Sequence, residues 1–302
     1  ENGSGICAVA ACGNRILRRR GRKDAPGVAP FRRRAFCSVV QKLGERRRGR
    51  YREAVFCRAF FSAILPLSTI GYSHPQGKMR KEITMDIYAV NASPRKKWNT
   101  ATLLQHALDG AKAAGGDAVR TELLHLYEYS FTSCKSCFHC KRLGGKHYGK
   151  CVLRDDLAPL LEKLSQAHAV VFGSPIYFGE VTGMLRCLEE RLLFPYLVYA
   201  QDSPSLAPKT VRTAFVYTMN VPAERMHEVG YPARLNMMEG YMTRIFGHTP
   251  QVLYADNTVQ FSDYSKYKCE MFSGEAKARY REEHFPQDCR KAEELGAALV
   301  AG

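Results

Sequence analysis

The sequence predicts an α/β protein built on a doubly wound, five-stranded parallel sheet, preceded by a basic N-terminal extension of low structure. Three observations carry this. From Met85 onward short apolar strands alternate with amphipathic helices, the pattern of right-handed βαβ crossovers. The strand segments include a near-continuous apolar run, "HAVVFGSP", as expected where helices cover both sheet faces. The charge is also partitioned. Residues 1–84 carry 19 Lys+Arg against 5 Asp+Glu, whereas residues 85–302 carry 26 against 24.

The front segment contains "RRRGRK", "FRRRAF" and "GERRRGRYR" without a sustained apolar period, so it is expected to be disordered. Its apolar run Ala59–Leu67 is too short to span a bilayer, and no small-residue cleavage site follows it. With Met79 and Met85 standing just ahead of the first strand, residues 1–84 read as an upstream extension that need not be native coding sequence. A nucleic-acid-binding arm is the minor alternative. Because the net charge of +16 belongs almost wholly to this segment, it says nothing about partners of residues 85–302.

Within 85–302 the elements follow in order. "MDIYAVNA" is a strand and "SPRKKWNT" a polar loop. "ATLLQHALDGAKAAG" is a helix by the spacing of Leu103, Leu104, Ala107, Leu108 and Ala111, ending at Gly115-Gly116. "AVRTELLHL" is a strand, followed by a cysteine-rich loop. "DDLAPLLEKLSQA" is a helix opened by acidic residues that suit the positive end of its dipole. "HAVVFGSP", "VTGMLRCLEERLLF" and "VRTAFVYTMN" are strand, helix and strand. A single helix is expected through "ERMHEVGYPARLNMMEGYMTRIF", then the strand "PQVLYAD". A last helix is expected over "FPQDCRKAEELGAALVAG", with Pro286 near its first turn.

In such sheets ligands sit beyond the carboxyl ends of the strands, and three loops there have pointed chemistry. In "NASPRKKWNTATLL", Ser93, Asn99, Thr100 and Thr102 offer hydroxyl and amide groups, Arg95 offers charge, and a helix begins. That combination makes an anion cradle for a phosphate, although Asn99 as a plain helix cap is the simpler reading. Neither G-x-G-x-x-G nor a Walker loop is present. In "GSPIYFGEVTG", Pro175, Ile176, Tyr177 and Phe178 end a buried strand with apolar and aromatic bulk suited to a flat ring. In "VYTMNVP", Thr218 and Asn220 add small polar groups. One phosphate cradle beside one planar-ring slot describes a mononucleotide. No G-x-S-x-G elbow is present to support a hydrolase.

"SCKSCFHC" places Cys134, Cys137 and Cys140 two residues apart, with Cys151 ten intervening residues later. Such spacing lets one loop supply thiolates to a [4Fe–4S] cluster. Zinc held by four thiolates, or by three and His139, is a second reading. A thiol–disulfide switch or a purely structural loop is a third. Cys187 lies on the apolar side of its helix, and Cys269, Cys289 and the four cysteines before Met85 show no ligand spacing. Unpaired cysteines in this number favour a reducing compartment, the cytoplasm.

The quoted motifs "ASPR…NT", "SPIYFGEVTG" and "ERLLFPYLVY" resemble the flavodoxin-like NAD(P)H-dependent FMN reductases. "SCKSCFHC…C…RDD" resembles their iron–sulfur flavoprotein branch, although the gap between Cys140 and Cys151 is longer than usual there. The resemblance spans almost three-quarters of the chain. It implies a flavodoxin-like domain at 85–302 with FMN as cofactor, NAD(P)H as hydride donor and a quinone, flavin, nitro compound or protein as acceptor. Ser93, Arg95, Asn99 and Thr100 would hold the FMN phosphate. Pro175, Ile176, Tyr177 and Phe178 would flank the isoalloxazine, with Thr218 and Asn220 near its ribityl or ring edge. It also implies a homodimer or homotetramer, while the shortness of the Ala59–Leu67 run gives the expectation of no membrane partner. A non-catalytic flavodoxin-type carrier is the rival, disfavoured because the domain is not acidic.

Overall fold

The computed structural model describes residues 84–200 and 205–301. The basic extension, its arginine blocks and the run Ala59–Leu67 lie outside the described residues. Five parallel strands form one sheet: β1 (Met85–Asn91), β2 (Val119–His125), β3 (Ala169–Pro175), β4 (Arg212–Thr218) and β5 (Gln251–Ala255), in the spatial order β2-β1-β3-β4-β5. The architecture is the flavodoxin-like α/β fold that the alternation of elements predicts.

Successive strand residues face opposite sides of the sheet. Val90, Phe172, Phe215 and Tyr217 therefore face α2 (Leu157–Ser165), α3 (Gly183–Leu193) and α5 (Tyr231–Phe246). Ile87, Ala89, Val171 and Val216 face α1 (Asn99–Gly115) and α6 (Gly274–Ala301). Burial on both faces explains the unbroken apolar text of β3, whose Ala169–Ser174 are all buried.

Two helix boundaries differ from expectation. The helix foreseen over residues 224–246 is two: α4 (Ala223–Glu228) ends, and α5 begins after Gly230 with a proline in its first turn, where a missing N–H costs nothing. The last helix begins eleven residues before Phe285, so Pro286 stands in its interior rather than near its start. Pro286 lies on the exposed side. Water can take the carbonyl that a proline leaves unpaired, so the helix survives its cost.

α6 seats itself against α1 through glycines. A Cβ on Gly296 would lie 1.8 Å from the Ala107 carbonyl oxygen, and one on Gly110 would lie 2.0 Å from that of Glu293. The two backbones touch only because those atoms are absent. Gly296→Val is expected to lower unfolding stability by about 3 kcal/mol, read by chemical denaturation. An unchanged midpoint would show that the crossing tolerates bulk.

Candidate functional site

The chain leaves β1 toward β2 on one side and returns to β3 on the other, so the crevice opens where β1 and β3 end. Asn91, the last residue of β1, is fully buried. Its Oδ1 accepts from Ser93 N at 3.1 Å, and its side-chain amide meets His125 Nδ1 at 3.0 Å. Ser93 Oγ accepts from Arg95 N at 3.2 Å. These bonds curl the loop so that it delivers the chain to the N-terminus of α1. Gly173 on β3 lets α1 sit close, since a Cβ there would lie 2.5 Å from Leu104 Cδ1 and 2.9 Å from Thr100 Cγ2.

One cavity collects the loops. Ser93, Arg95, Asn99 and Thr100 line it from β1–α1, Pro175, Ile176 and Tyr177 from β3, and Thr218 and Asn220 from β4. Thus nine of the eleven residues picked from sequence meet at one place, while Thr102 and Phe178 are not among those that line it. Thr100 and Thr218 join hydroxyl to hydroxyl at 2.8 Å, tying the first and third loops. Asn220 Oδ1 is buried with no hydrogen-bond partner, an acceptor that awaits a donor in the cavity it lines.

Asn99 does not cap α1. The residue ahead of the helix is Trp98, with no side-chain cap bond, and the Asn99 amide instead donates to Val259 O at 2.8 Å. Its Oδ1 accepts from Arg281 Nη1 at 2.6 Å. The capping alternative therefore gives way to a tertiary role. The partner strip Thr258–Gln260, after β5, forms a fourth wall that sequence reading missed. Trp98 Nε1 also donates to Val259 O, at 3.1 Å, and Arg95 Nη1 donates to Gln260 O at 2.5 Å. The strip's position beyond a strand's carboxyl end was the available signal.

Lys277 on α6 was missed as well. It is 3% exposed and donates to Asn220 O and Asn257 Oδ1, both at 2.5 Å. Burial pulls its amine down to about 8. This lysine fixes the backbone of the β4 and β5 loops from behind the cavity.

Phe178 stands apart from the other nine. Tyr177 and Glu180 pair across a two-residue turn, with N–H···O distances of 2.8 and 3.1 Å. The turn residues Phe178 and Gly179 have φ of 55° and 81°, as a type I′ turn requires. Phenylalanine is strained there, yet its ring is wholly exposed, so no packing within the chain offsets the strain. Glu180, on the same turn, pairs with Arg186 at 2.9 Å. Thr182 is buried, and its Oγ1 donates to Ala92 O at 3.0 Å while capping α3.

The four cysteines also share a cavity. Cys134, Cys137, Cys140 and Cys151 line it with Glu190, Arg191 and Phe194. Ser136 and Phe138, on either side of Cys137, adopt φ of 47° and 56°. Such left-handed residues wrap the short loop tightly instead of letting it extend. The insert after Cys140 closes by successive turns, with Gly149 N donating to Cys140 O at 2.9 Å. Cys140 is buried, which raises its thiol pKa against the opposing pull of Lys141. His139 is exposed and is not among the residues that line this cavity. Among the described residues no three His, Cys, Asp or Glu side chains stand in a metal-holding arrangement. The sulfurs share a cavity without closing on a common centre. As donors they form a soft, all-thiolate set next to a buried cation, chemistry that fits an iron–sulfur cluster.

A third, apolar cavity lies between α3, α5 and the cysteine loop, lined by Cys134, Glu189, Leu193, Met238 and Tyr241 among others. Glu189 is 1% exposed, and burial lifts its carboxyl from 4.5 to about 8. Oε2 accepts from Arg186 Nη1 at 3.0 Å, and Oε1 has no partner.

Residues 85–216 match the family model of NADPH-dependent FMN reductase. Over these residues the chain is similar to that family. It is 38% identical over 107 residues to an iron–sulfur flavoprotein of Archaeoglobus fulgidus, covering 35% of this chain and 48% of that protein. It is 33% identical over 107 residues to an iron–sulfur flavoprotein of Methanocaldococcus jannaschii, covering 35% and 51%. The chain thus spans about half the length of the curated relatives it matches. Among solved structures, an NAD(P)H:quinone oxidoreductase from Methanothermobacter marburgensis superposes with TM-score 0.52 at 15% identity, covering 72% of this chain and 99% of that one. An FMN-dependent NADH-azoreductase from Bacillus anthracis, solved with FMN, gives 0.52 at 12% identity, covering 72% and 100%. These two structural likenesses establish the fold alone. No helix among the described residues is long and apolar enough to cross a membrane.

Two predictions arise from this region. Phe178→Gly relieves a left-handed side chain that packs on nothing, so it should raise stability by roughly 0.5–1 kcal/mol in a denaturant titration. A loss would show that the ring is structural. Glu189 holds its proton more tightly folded than unfolded. Stability is therefore fullest below the unfolded value of 4.5 and declines as pH rises toward about 8. Glu189→Gln should match the parent near pH 5 and exceed it by on the order of 1–3 kcal/mol near pH 8. Parallel stability–pH curves would refute this.

Proposed function

We propose that residues 85–302 act as an FMN-dependent NAD(P)H oxidoreductase. The observation that carries the reading is the cavity beyond β1, β3 and β4, where the N-terminus of α1 meets a buried, unpartnered Asn220 oxygen. The family match over 85–216 supports it. Ser93, Arg95, Asn99, Thr100 and the first N–H groups of α1 would hold the phosphate. Pro175, Ile176, Tyr177 and the exposed Phe178 would flank the isoalloxazine, with Thr218 and Asn220 meeting the ribityl or ring edge. When bound, the flavin supplies hydride acceptance and electron transfer in one- or two-electron steps. The chain's part is to orient and desolvate. No general acid or base is assigned.

The same reading gives Cys134, Cys137, Cys140 and Cys151 a [4Fe–4S] cluster, supported by their shared cavity and by the relatives' description as iron–sulfur flavoproteins. Electrons would pass to a quinone, a flavin, a nitro compound or a protein carrier. The seven described cysteines are all free thiols, which suits a reducing compartment such as the cytoplasm. Assembly as a homodimer or homotetramer belongs to this reading, and Met237 and Tyr241 on α5 offer it exposed apolar surface.

The test is the full-length chain, reconstituted anaerobically with FMN, iron and sulfide. Two flavin absorption bands and NAD(P)H oxidation are expected, with Arg95→Ala weakening FMN binding about tenfold or more. Bound iron should be lost in Cys140→Ser and retained in Cys187→Ser. No flavin uptake by the parent would end the proposal. Equal iron in the two cysteine variants would remove the cluster from it.

A further inference from the structure

The cysteine cavity has one wall that the flavin reading leaves unexplained. Arg191 on α3 is 1% exposed. Nη1 donates to Asp155 Oδ2 at 2.5 Å and to Thr132 O at 3.0 Å, and Nη2 donates to Asp155 Oδ1 at 2.8 Å. The residue lines the same cavity as Cys151. Its Nε is buried without a satisfied bond, although Arg191 lines the cavity shared by all four cysteines. An arginine cannot shed its proton, and a buried donor left unpaired costs free energy. The unmet N–H therefore calls for an acceptor, and the cavity it lines offers four sulfurs besides the Glu190 carboxylate.

A bidentate pair with Asp155 fixes the guanidinium plane, so its charge is stationary relative to Cys151. Lys141 adds a second cation, its ammonium held by the carbonyls of Phe194, Pro195 and Leu197.

We propose that Arg191, oriented by Asp155, is the positioning residue of the cysteine cavity, holding a fixed cation and a free N–H beside the sulfur centre and stabilising that centre's reduced form. The inference rests on the cluster assignment above. Reduction of a tetrathiolate cluster by one electron adds one negative charge to the cavity. A fixed cation in a poorly solvated wall favours that state. Asp155 opposes it in part, since its side chain is only 22% exposed and lies against the guanidinium.

The two residues should therefore move the potential in opposite directions, which a packing role would not do. The full-length chain, loaded anaerobically with iron and sulfide, is titrated with dithionite and followed by electron paramagnetic resonance. Arg191→Gln should lower the midpoint so that the reduced-to-oxidised ratio at fixed potential falls about tenfold, ~59 mV for one electron. Asp155→Asn should raise it. Arg191→Lys should lie between parent and Arg191→Gln, and the double variant Asp155→Asn/Arg191→Gln should return toward the parent. Should Arg191→Gln not fold, the lysine and double variants carry the test. Iron loss from Arg191 variants whose melting is unchanged also supports the proposal, whereas iron loss with a lowered melt overturns it. An unchanged midpoint, or a shift of the same sign in both single variants, overturns it as well. A parent that takes up FMN and no iron ends this inference alone. A parent that takes up iron and no FMN ends the flavin reading and leaves this one standing.

Discussion

The site depends on how closely α1 can approach the sheet. Gly173, at the fifth position of β3, has no side chain, and Thr100 and Leu104 of α1 occupy the space a Cβ would take. That contact brings Thr100 within 2.8 Å of Thr218 on β4 and points the N-terminal turn of α1 into the crevice between strand ends. A bulkier residue at 173 would push α1 outward, separating the two threonines and opening the anion cradle. Gly110 and Gly296 repeat the device on the far side of α1, where α6 presses against it. The helix is clamped between two glycine contacts, so the cavity is a rigid product of packing rather than a loop conformation.

The cysteine loop follows a different logic. It has little core of its own, and its shape comes from two strained residues, a string of turns and the charged groups behind it. Cys134 N donates to Glu190, Lys141 ties the loop to the end of α3, and Arg191 ties Thr132 to Asp155. All three anchors converge on α3, which also carries Glu189. One helix thus braces the thiol loop on one side and the apolar cavity on the other. The cluster reading therefore makes a statement about α3 as much as about the cysteines.

Much of the fold was legible. Alternating elements with buried strands leave few topologies open, and the strands of the structure fall within the segments read as strands. Helix breaks were harder. Gly230 and Pro232 stood in plain sight between α4 and α5, but the apolar period runs through them, and local signals compete. Pro286 was misjudged for the opposite reason: an exposed proline is tolerated inside α6 because solvent satisfies its orphan carbonyl. Nine of the residues that line the cavity were named from three loops, since strand carboxyl ends are identifiable once strands are. Asn99 was legible as important but not in role, because a cap and a tertiary hydrogen bond look alike in one dimension.

Taken alone, the residues determined which segments are strands, where the chemistry-bearing loops lie and that four thiols come from one stretch, because periodicity and spacing are properties of neighbours along the chain. Only tertiary structure decided that Thr258–Gln260 walls the cavity, that Lys277 and Arg281 support it from α6, and that Arg191 shares a cavity with the four cysteines. Those contacts join residues 20 to 182 positions apart. Their formation is set by how helices dock on the sheet, and no local pattern encodes a distance of that kind.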